Sequence, residues 1–147
     1  MTATRDIFDT NGWAASRPHP SPVELRVPAQ LAMLPVVRTL LTAIGTNHDV
    51  DLDTVADLRL AIDEACTALV RTAPPGSTLT VAVTPGKDDV QVRVSAPCKS
   101  ETALAPGTFS WHVMSCLTDQ LAVSHEDGSE GGASTISMTV RRTKATP

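Results

Sequence analysis

The sequence predicts an α/β two-layer sandwich, with helices on one face of a mixed, mostly antiparallel sheet. Three observations lead to this fold class. Two runs of strict apolar and polar alternation are joined by a short turn that contains Pro and Gly, as in a β-hairpin. Ahead of them, a long segment carries apolar residues at helical spacing. Along the whole chain, the predicted elements follow the order β-α-α-β-β-loop-α-β-β.

The composition is that of one ordinary globular domain. The chain has 147 residues, of which 41% are hydrophobic and 19% charged. We expect one domain over residues 23–141, between a Pro-rich disordered tail (1–22) and a frayed C-terminus (142–147). A net charge of -4 without a Lys/Arg stripe argues against nucleic acid as a partner. No apolar run is long enough to cross a membrane, so a cytoplasmic location is expected.

The three cysteines point to reduced thiols. Cys66, Cys98 and Cys116 are an odd number and show no CxxC spacing and no spacing to a histidine that would suggest a shared metal. His19, His48 and His125 also lack a partner at ligand spacing. We therefore expect neither a disulfide framework nor a metal site.

One strand and one helix are predicted ahead of the longest helix. Residues 23–27 alternate between apolar and polar, which predicts a strand that Pro28 ends. Residues 29–44 have helical spacing, with Pro35 in the first turns, where a missing N–H costs least. Gly45 is expected to be the C-cap of this helix.

The central helix is predicted to begin near Asp51 and to end before Pro74. Its apolar stripe consists of Val55, Leu58, Ile62, Ala65 or Cys66, and Leu69. The opposite face consists of Asp57, Ala61, Glu64, Ala68 and Arg71. Glu64 is therefore placed either to work in a cleft or to be a solvated carboxylate paired with Arg59 or Arg71.

The second half of the chain is predicted to be mostly strands. Its elements are strands at 78–84 and 89–95, a loop over 96–106, a helix at 109–117, and strands at 121–125 and 134–140. In the helix, Phe109, Val113 and Cys116 or Leu117 are expected to point inward. Trp111 and His112 at its start are either an exposed contact patch or, for Trp111, part of the packing.

The segment Asp63-Glu-Ala-Cys-Thr-Ala68 resembles the N box of the GHKL (Bergerat-fold) ATPases. More narrowly, it is similar to the bacterial anti-sigma-factor serine kinases of the RsbW/UsfX type, in which the segment reads E-A-x-T-N. The resemblance implies a Bergerat, or histidine-kinase-like ATPase, fold over roughly residues 23–140. It also implies that Glu64 stands where the family has a general base. The magnesium-binding Asn of that family is Ala68 here, which has no oxygen to offer the cation.

The other nucleotide-binding signatures of that family are also altered. The D-x-G that reads adenine falls on Val94-Ser-Ala-Pro-Cys98, without the Asp or the Gly. The G-x-G that admits phosphates falls near Thr108-Phe-Ser110, where Gly107 is the one glycine. Ser134 or Thr135 could still offer a hydroxyl to a phosphate. We therefore expect no cofactor to bind tightly, with weak ATP and Mg²⁺ binding and little phosphoryl transfer.

The resemblance implies a function in transcription regulation. It implies an anti-sigma factor that sequesters a SigF-like stress sigma factor and is released by a STAS-type antagonist. It also implies a homodimer, with the edge at residues 23–27 as a candidate contact. The alternative is an active ATP-dependent serine kinase that phosphorylates its antagonist. A domain of this shape with an unrelated partner is the third reading, because a fold does not fix a function.

Overall fold

The computed structural model describes residues 21–98, 105–128 and 131–143. The predicted tail therefore lies outside the described residues up to position 20. The helices are α1 (Leu34–Asn47), α2 (Leu52–Thr72) and α3 (Phe109–Leu117), and a 3₁₀ turn (Leu31–Met33) precedes α1. The strands are β1 (Val23–Pro28), β2 (Thr78–Pro85), β3 (Asp89–Cys98), β4 (Gln120–Glu126) and β5 (Gly132–Arg141). None of the described helices combines the length and apolar character needed to cross a membrane.

The five strands form one sheet in the order β1-β2-β3-β5-β4. The predicted α/β architecture is confirmed, but the expected mixed pairing is wrong, since each pair of neighbouring strands in the described part is antiparallel. The reason lies in the connection through α3. It returns the chain in the direction of β3, as a helical crossover does. β5 then enters between β3 and β4 and pairs antiparallel with both.

The core lies on one face of this sheet. Burial alternates along β2, β3 and β5, so each strand presents every second side chain to the helices. The fully buried strand residues include Leu79, Val81, Val83, Val90, Val92, Val94, Ile136 and Met138. They form one cluster with buried side chains of α1, α2 and α3, so the helices cover this face.

Gly45 lies inside α1 and not at its C-cap, so that prediction is wrong. The helix continues to Asn47, and the residue with positive φ is Asp49, at 52°. The N–H of Val50 donates to the Gly45 carbonyl (2.9 Å), which closes the helix as a Schellman motif does. Gly45 is buried, and a Cβ added there would lie 2.7 Å from Cγ2 of Val55. Its small size therefore permits the close approach of α1 and α2.

Replacing Gly45 with alanine is expected to lower the free energy of unfolding by about 1 kcal/mol. Overpacking against Val55 costs roughly 1–3 kcal/mol, and the gain in helix propensity returns about 1 kcal/mol. In a Val55→Ala background the same change should instead stabilise, because the obstructing methyl is gone. Urea unfolding of the native protein, the two single variants and the double variant measures the effect. Equal effects in both backgrounds would contradict a steric role for Gly45.

Asp51 is the N-cap of α2, in agreement with the predicted start. Its carboxylate accepts hydrogen bonds from the Thr54 N–H (2.9 Å) and the Thr54 hydroxyl (2.7 Å). It also accepts one from the Thr143 N–H (3.1 Å). Burial raises the pKa of Asp51, but the hydrogen bonds from Thr54 and Thr143 outweigh it, so the pKa lies below the ordinary value.

The end of the described chain is attached to the domain, so the predicted fraying is wrong for residues 142 and 143. The Arg142 guanidinium donates to the carbonyls of Gly86 (3.0 Å), His48 (2.8 Å) and Asp49 (2.6 Å). A charged donor satisfies carbonyls at the end of α1, where a cation is favoured. Residues 144–147 lie outside the described residues.

β3 is longer than predicted, because residues 96–98 continue the strand instead of forming a loop. They pair with residues 132–134 of β5. The pairing of β3 with β2 ends at Ser95, so Pro97 lies where β3 has one neighbour only. A proline is tolerated at such an edge because its missing N–H removes no bond to a neighbouring strand.

The bounds of α3 match the prediction, and so does the inward position of Leu117, but Phe109 and Cys116 do not face the core. Met114 is fully buried, whereas Phe109 is 78% exposed and Cys116 is exposed. Trp111 and Leu117, each one turn from Met114, are half-buried against the core. The prediction was wrong because it started the stripe from Phe109, the most hydrophobic residue of the first turn.

Candidate functional site

Glu64, the predicted general-base position, lies where α2 meets α3. Its Oε2 accepts a hydrogen bond from the Ser110 hydroxyl at 3.1 Å. Ser110 belongs to the first turn of α3, so this bond joins the two helices. Glu64 is half-buried, and the hydrogen-bond donor seen for it is Ser110, not Arg59 or Arg71. The Ser110 side chain thus occupies one oxygen of the Glu64 carboxylate.

Ala68 follows Glu64 by one helical turn but does not share its exposure. Ala68 is 9% exposed and Ala61, one turn before Glu64, is fully buried. The prediction that this face of α2 lies away from the core is wrong at both positions. The buried stripe is wider than predicted, because α2 packs against α1 and α3 as well as the sheet. A methyl group at this position supplies no ligand for a cation.

The neighbouring carboxylate, Asp63, is engaged elsewhere. Both of its oxygens accept from Nε of Arg38 on α1, at 2.9 and 3.1 Å. This hydrogen bond, together with the charge of Asp63, raises the pKa of the Arg38 guanidinium. Asp63 therefore links α2 to α1, while Glu64 links α2 to α3.

The turn that contains Gly107 leads into a helix start that is already capped. Gly107 has φ of +94°, a conformation that glycine adopts readily. The Thr108 hydroxyl oxygen then accepts from the Trp111 N–H (3.2 Å), and the hydroxyl donates to the Ala105 carbonyl (2.9 Å). One N–H of the first turn, which would otherwise be available to a phosphate, is thus satisfied by the chain itself.

The segment that the resemblance matches to an adenine-reading motif is a paired strand. Residues 94–98 belong to β3, and Cys98 at its end is buried. The Cys98 thiol contacts the Thr72 hydroxyl in the last turn of α2 at 3.6 Å. Thr72 in turn donates to the Leu69 carbonyl at 3.2 Å. No carboxylate side chain occurs between 94 and 98.

The two candidate phosphate hydroxyls point to opposite faces of the sheet. Ser134 is 1% exposed on the helix-covered face, and Thr135 faces the other way, as neighbours in a strand do. The Ser134 hydroxyl lies 3.0 Å from Nδ1 of His125, and Nε2 of His125 lies 3.1 Å from Oδ1 of Asp127. His125 was not among the predicted site residues. The missing signal was the register that pairs His125 with Ser134.

The structure thus brings Glu64 to Ser110, and Ser134 to His125. The described residues contain no group of three or more His, Cys, Asp and Glu side chains that would hold a metal ion. One carboxylate beside one serine hydroxyl is a poor site for Mg²⁺, which favours near-octahedral oxygen coordination. What the arrangement does provide is a hydrogen-bonded junction between helices on a covered sheet.

This fold occurs in a known bacterial protein. The fold superposes with a TM-score of 0.67 on the crystal structure of the RsbU and RsbW domains of a Mycobacterium tuberculosis protein. The sequence identity to it is 18%, and the match covers 85% of this chain and 33% of that one. This chain therefore spans about a third of the length of that solved protein. The two proteins therefore share this architecture.

The sequence comparison identifies the family. The chain is 49% identical over 124 residues to the protein named anti-sigma-F factor RsbW of M. tuberculosis, in both the CDC 1551 / Oshkosh and H37Rv strains. The match covers 82% of this chain and 73% of each relative. No family model matches the chain. The chain belongs to the RsbW family of anti-sigma factors.

Proposed function

We propose that this protein is an anti-sigma factor that binds and sequesters a SigF-like stress sigma factor. The observation that carries this proposal is the 49% identity, over 124 residues, to relatives named for anti-sigma-F activity. A rigid surface is sufficient for sequestration, and the covered sheet with three helices supplies one. The element order supports assigning this domain to the histidine-kinase-like ATPase fold.

Regulation by contact, without phosphoryl transfer, fits the described site best. Ala68 removes the magnesium ligand, and the Ser110 hydroxyl occupies Glu64 at 3.1 Å. Thr108 caps the helix start that would face a phosphate. Phosphoryl transfer depends almost entirely on positioning and on neutralising charge. The kinase alternative is therefore not our proposal.

The partners follow from the family resemblance and one exposed edge. We assign release to a STAS-type antagonist, and we place the protein in the cytoplasm with the polymerase. Among the strands that the structure describes, β1 pairs with β2 on one side only, so its other side is an open edge of the described sheet. Val23 at its start is 38% exposed. Such edges pair readily with another chain, so β1 is our candidate for the homodimer contact.

Direct binding to a purified SigF-like sigma factor tests the sequestration proposal. We expect a stable complex in size-exclusion chromatography, at a similar affinity with and without ATP, and inhibition of transcription that depends on that sigma factor. A housekeeping sigma factor is the matched control and should elute separately. Co-elution with neither protein would overturn the proposal.

Calorimetric titration with ATP and ADP, with and without Mg²⁺, tests the nucleotide site. Each lost charge-assisted contact costs about 1.5–3 kcal/mol, so two or three together weaken binding by roughly a thousandfold or more. We therefore expect no binding heat near millimolar ATP for the native protein, and none for Glu64→Ala. Tight, magnesium-dependent binding that Glu64→Ala weakens would instead support a working kinase.

A further inference from the structure

We propose that His112 and Cys116 of α3 form a binding site for a zinc ion. Nε2 of His112 lies 3.8 Å from Sγ of Cys116. The two residues are one helical turn apart, so their side chains project from the same side of α3. Both are exposed, so an ion reaches them from solvent.

The separation of these two atoms suits a shared tetrahedral ion. Zinc binds thiolate sulfur at about 2.3 Å and imidazole nitrogen at about 2.0–2.1 Å, which places the two ligand atoms about 3.6 Å apart at a tetrahedral angle. The observed 3.8 Å is within a few tenths of an ångström of that distance. No change of backbone is needed, because small rotations of two exposed side chains close the difference.

Cys116 is the cysteine suited to this chemistry. Cys66 is fully buried, and its burial, followed by the charge of Asp63, raises the pKa of its thiol to about 12. Cys98 is 2% exposed at the end of β3. Cys116 is open to solvent and has an imidazole beside it. Thiolate and imidazole together are the ligand set that zinc favours.

The helix that carries the pair is held in place before any ion binds. Met114, between the two ligands in sequence, is fully buried. The hydroxyls of Ser115 and Thr118 donate to the carbonyls of Trp111 (2.8 Å) and Met114 (2.7 Å). A fixed backbone lowers the entropy lost on binding. When the ion binds, the Cys116 thiol releases its proton to solvent and its sulfur lone pair forms the bond to zinc.

The site has two protein ligands within the described residues, so water completes the coordination. It is open, unlike a structural zinc site with four protein ligands. Metal ligands were not predicted from the sequence, so His112 and Cys116 were not among the predicted site residues. The available signal was a histidine and a cysteine four positions apart within a segment already predicted to be helical.

Cobalt is the spectroscopic probe for this site. The full chain, kept reduced with a phosphine, is titrated with Co²⁺, and the thiolate-to-cobalt absorption is followed and then displaced by Zn²⁺. We expect this band in the native protein, its loss in Cys116→Ser, and affinity at least about tenfold weaker in His112→Gln. Phe109→Ala, at an exposed position of the same helix, is the control and should bind as the native protein does. Persistence of the band in Cys116→Ser would overturn the proposal.

A second measurement needs no variant. In the native protein, alkylation of Cys116 by iodoacetamide, followed by peptide mass spectrometry, should slow at least tenfold when zinc is present. Cys66 and Cys98 serve as internal references and should remain unlabelled until the protein is unfolded. Equal rates of Cys116 alkylation with and without zinc would contradict a zinc–thiolate bond.

Discussion

Replacing Leu58 with alanine is expected to lower the free energy of unfolding by about 3 kcal/mol, within the usual range of about 2–5 for a buried leucine. Leu58 is 1% exposed in the middle of α2, in the cluster that joins the helices to the sheet. Truncation removes its apolar contacts and leaves a cavity. A loss of this size changes the unfolding equilibrium by more than about a hundredfold. Urea unfolding followed by circular dichroism measures it.

Leu60→Ala is the matched control for this prediction. Leu60 lies two positions further along the same helix and is 55% exposed. The substitution and its effect on helix propensity are the same, so the difference between the variants reports burial alone. We expect a loss below about 1 kcal/mol for Leu60→Ala. Comparable losses at both positions would contradict the orientation of α2 described above.

The second large effect is expected at Met114, the buried residue of α3. Met114→Ala should cost about 2–5 kcal/mol, because a fully buried side chain is lost from a nine-residue helix that is too short to be stable alone. The amides of α3 should then exchange with solvent faster than those of α2. Because Ser110 belongs to α3, we also expect the hydrogen bond from the Ser110 hydroxyl to Glu64 to be lost. Native-state hydrogen exchange read by mass spectrometry resolves the two helices.

Phe109→Ala separates burial from side-chain size in this helix. Phe109 is larger than Met114, but it is 78% exposed. We expect a change within about 0.5 kcal/mol and unaltered exchange of α3. If Phe109→Ala proved the more damaging variant, the inward face inferred from sequence would be right and the observed face wrong.

Local sequence patterns predicted the helices and strands well, but they predicted less well how these elements pack and pair. The limits of α3 and the start of α2 at Asp51 were predicted correctly. The Gly45 cap failed because a small residue at a helix contact and a small residue at a helix end look alike in sequence. That neighbouring strands are all antiparallel could not be predicted from local sequence patterns. It depends on the insertion of β5 between β3 and β4, which is a long-range pairing.

In the candidate site, too, the residues were predicted better than their contacts. Glu64 was predicted as a site residue from the six-residue segment 63–68, and the structure places it where α2 meets α3. Its donor, Ser110, is 46 positions away, and no periodicity joins such residues. Ser134 was identified as a hydroxyl, but its contact with His125 depends on strand register. Residue types could therefore be predicted, whereas their contacts required the fold.

The insertion of β5 between β3 and β4 also governs the order of events during synthesis. While a nascent chain emerges from the ribosome, β2 can pair with β1 and β3 with β2 as each is made, since each of these strands pairs with one already translated. β4 has no such opportunity, because the strand it pairs with is β5, which is translated after it. From the time residue 120 leaves the exit tunnel until residue 141 has left it, β4 and one edge of β3 lack β5, the strand with which they pair. That interval is when a chaperone would find this polypeptide most exposed.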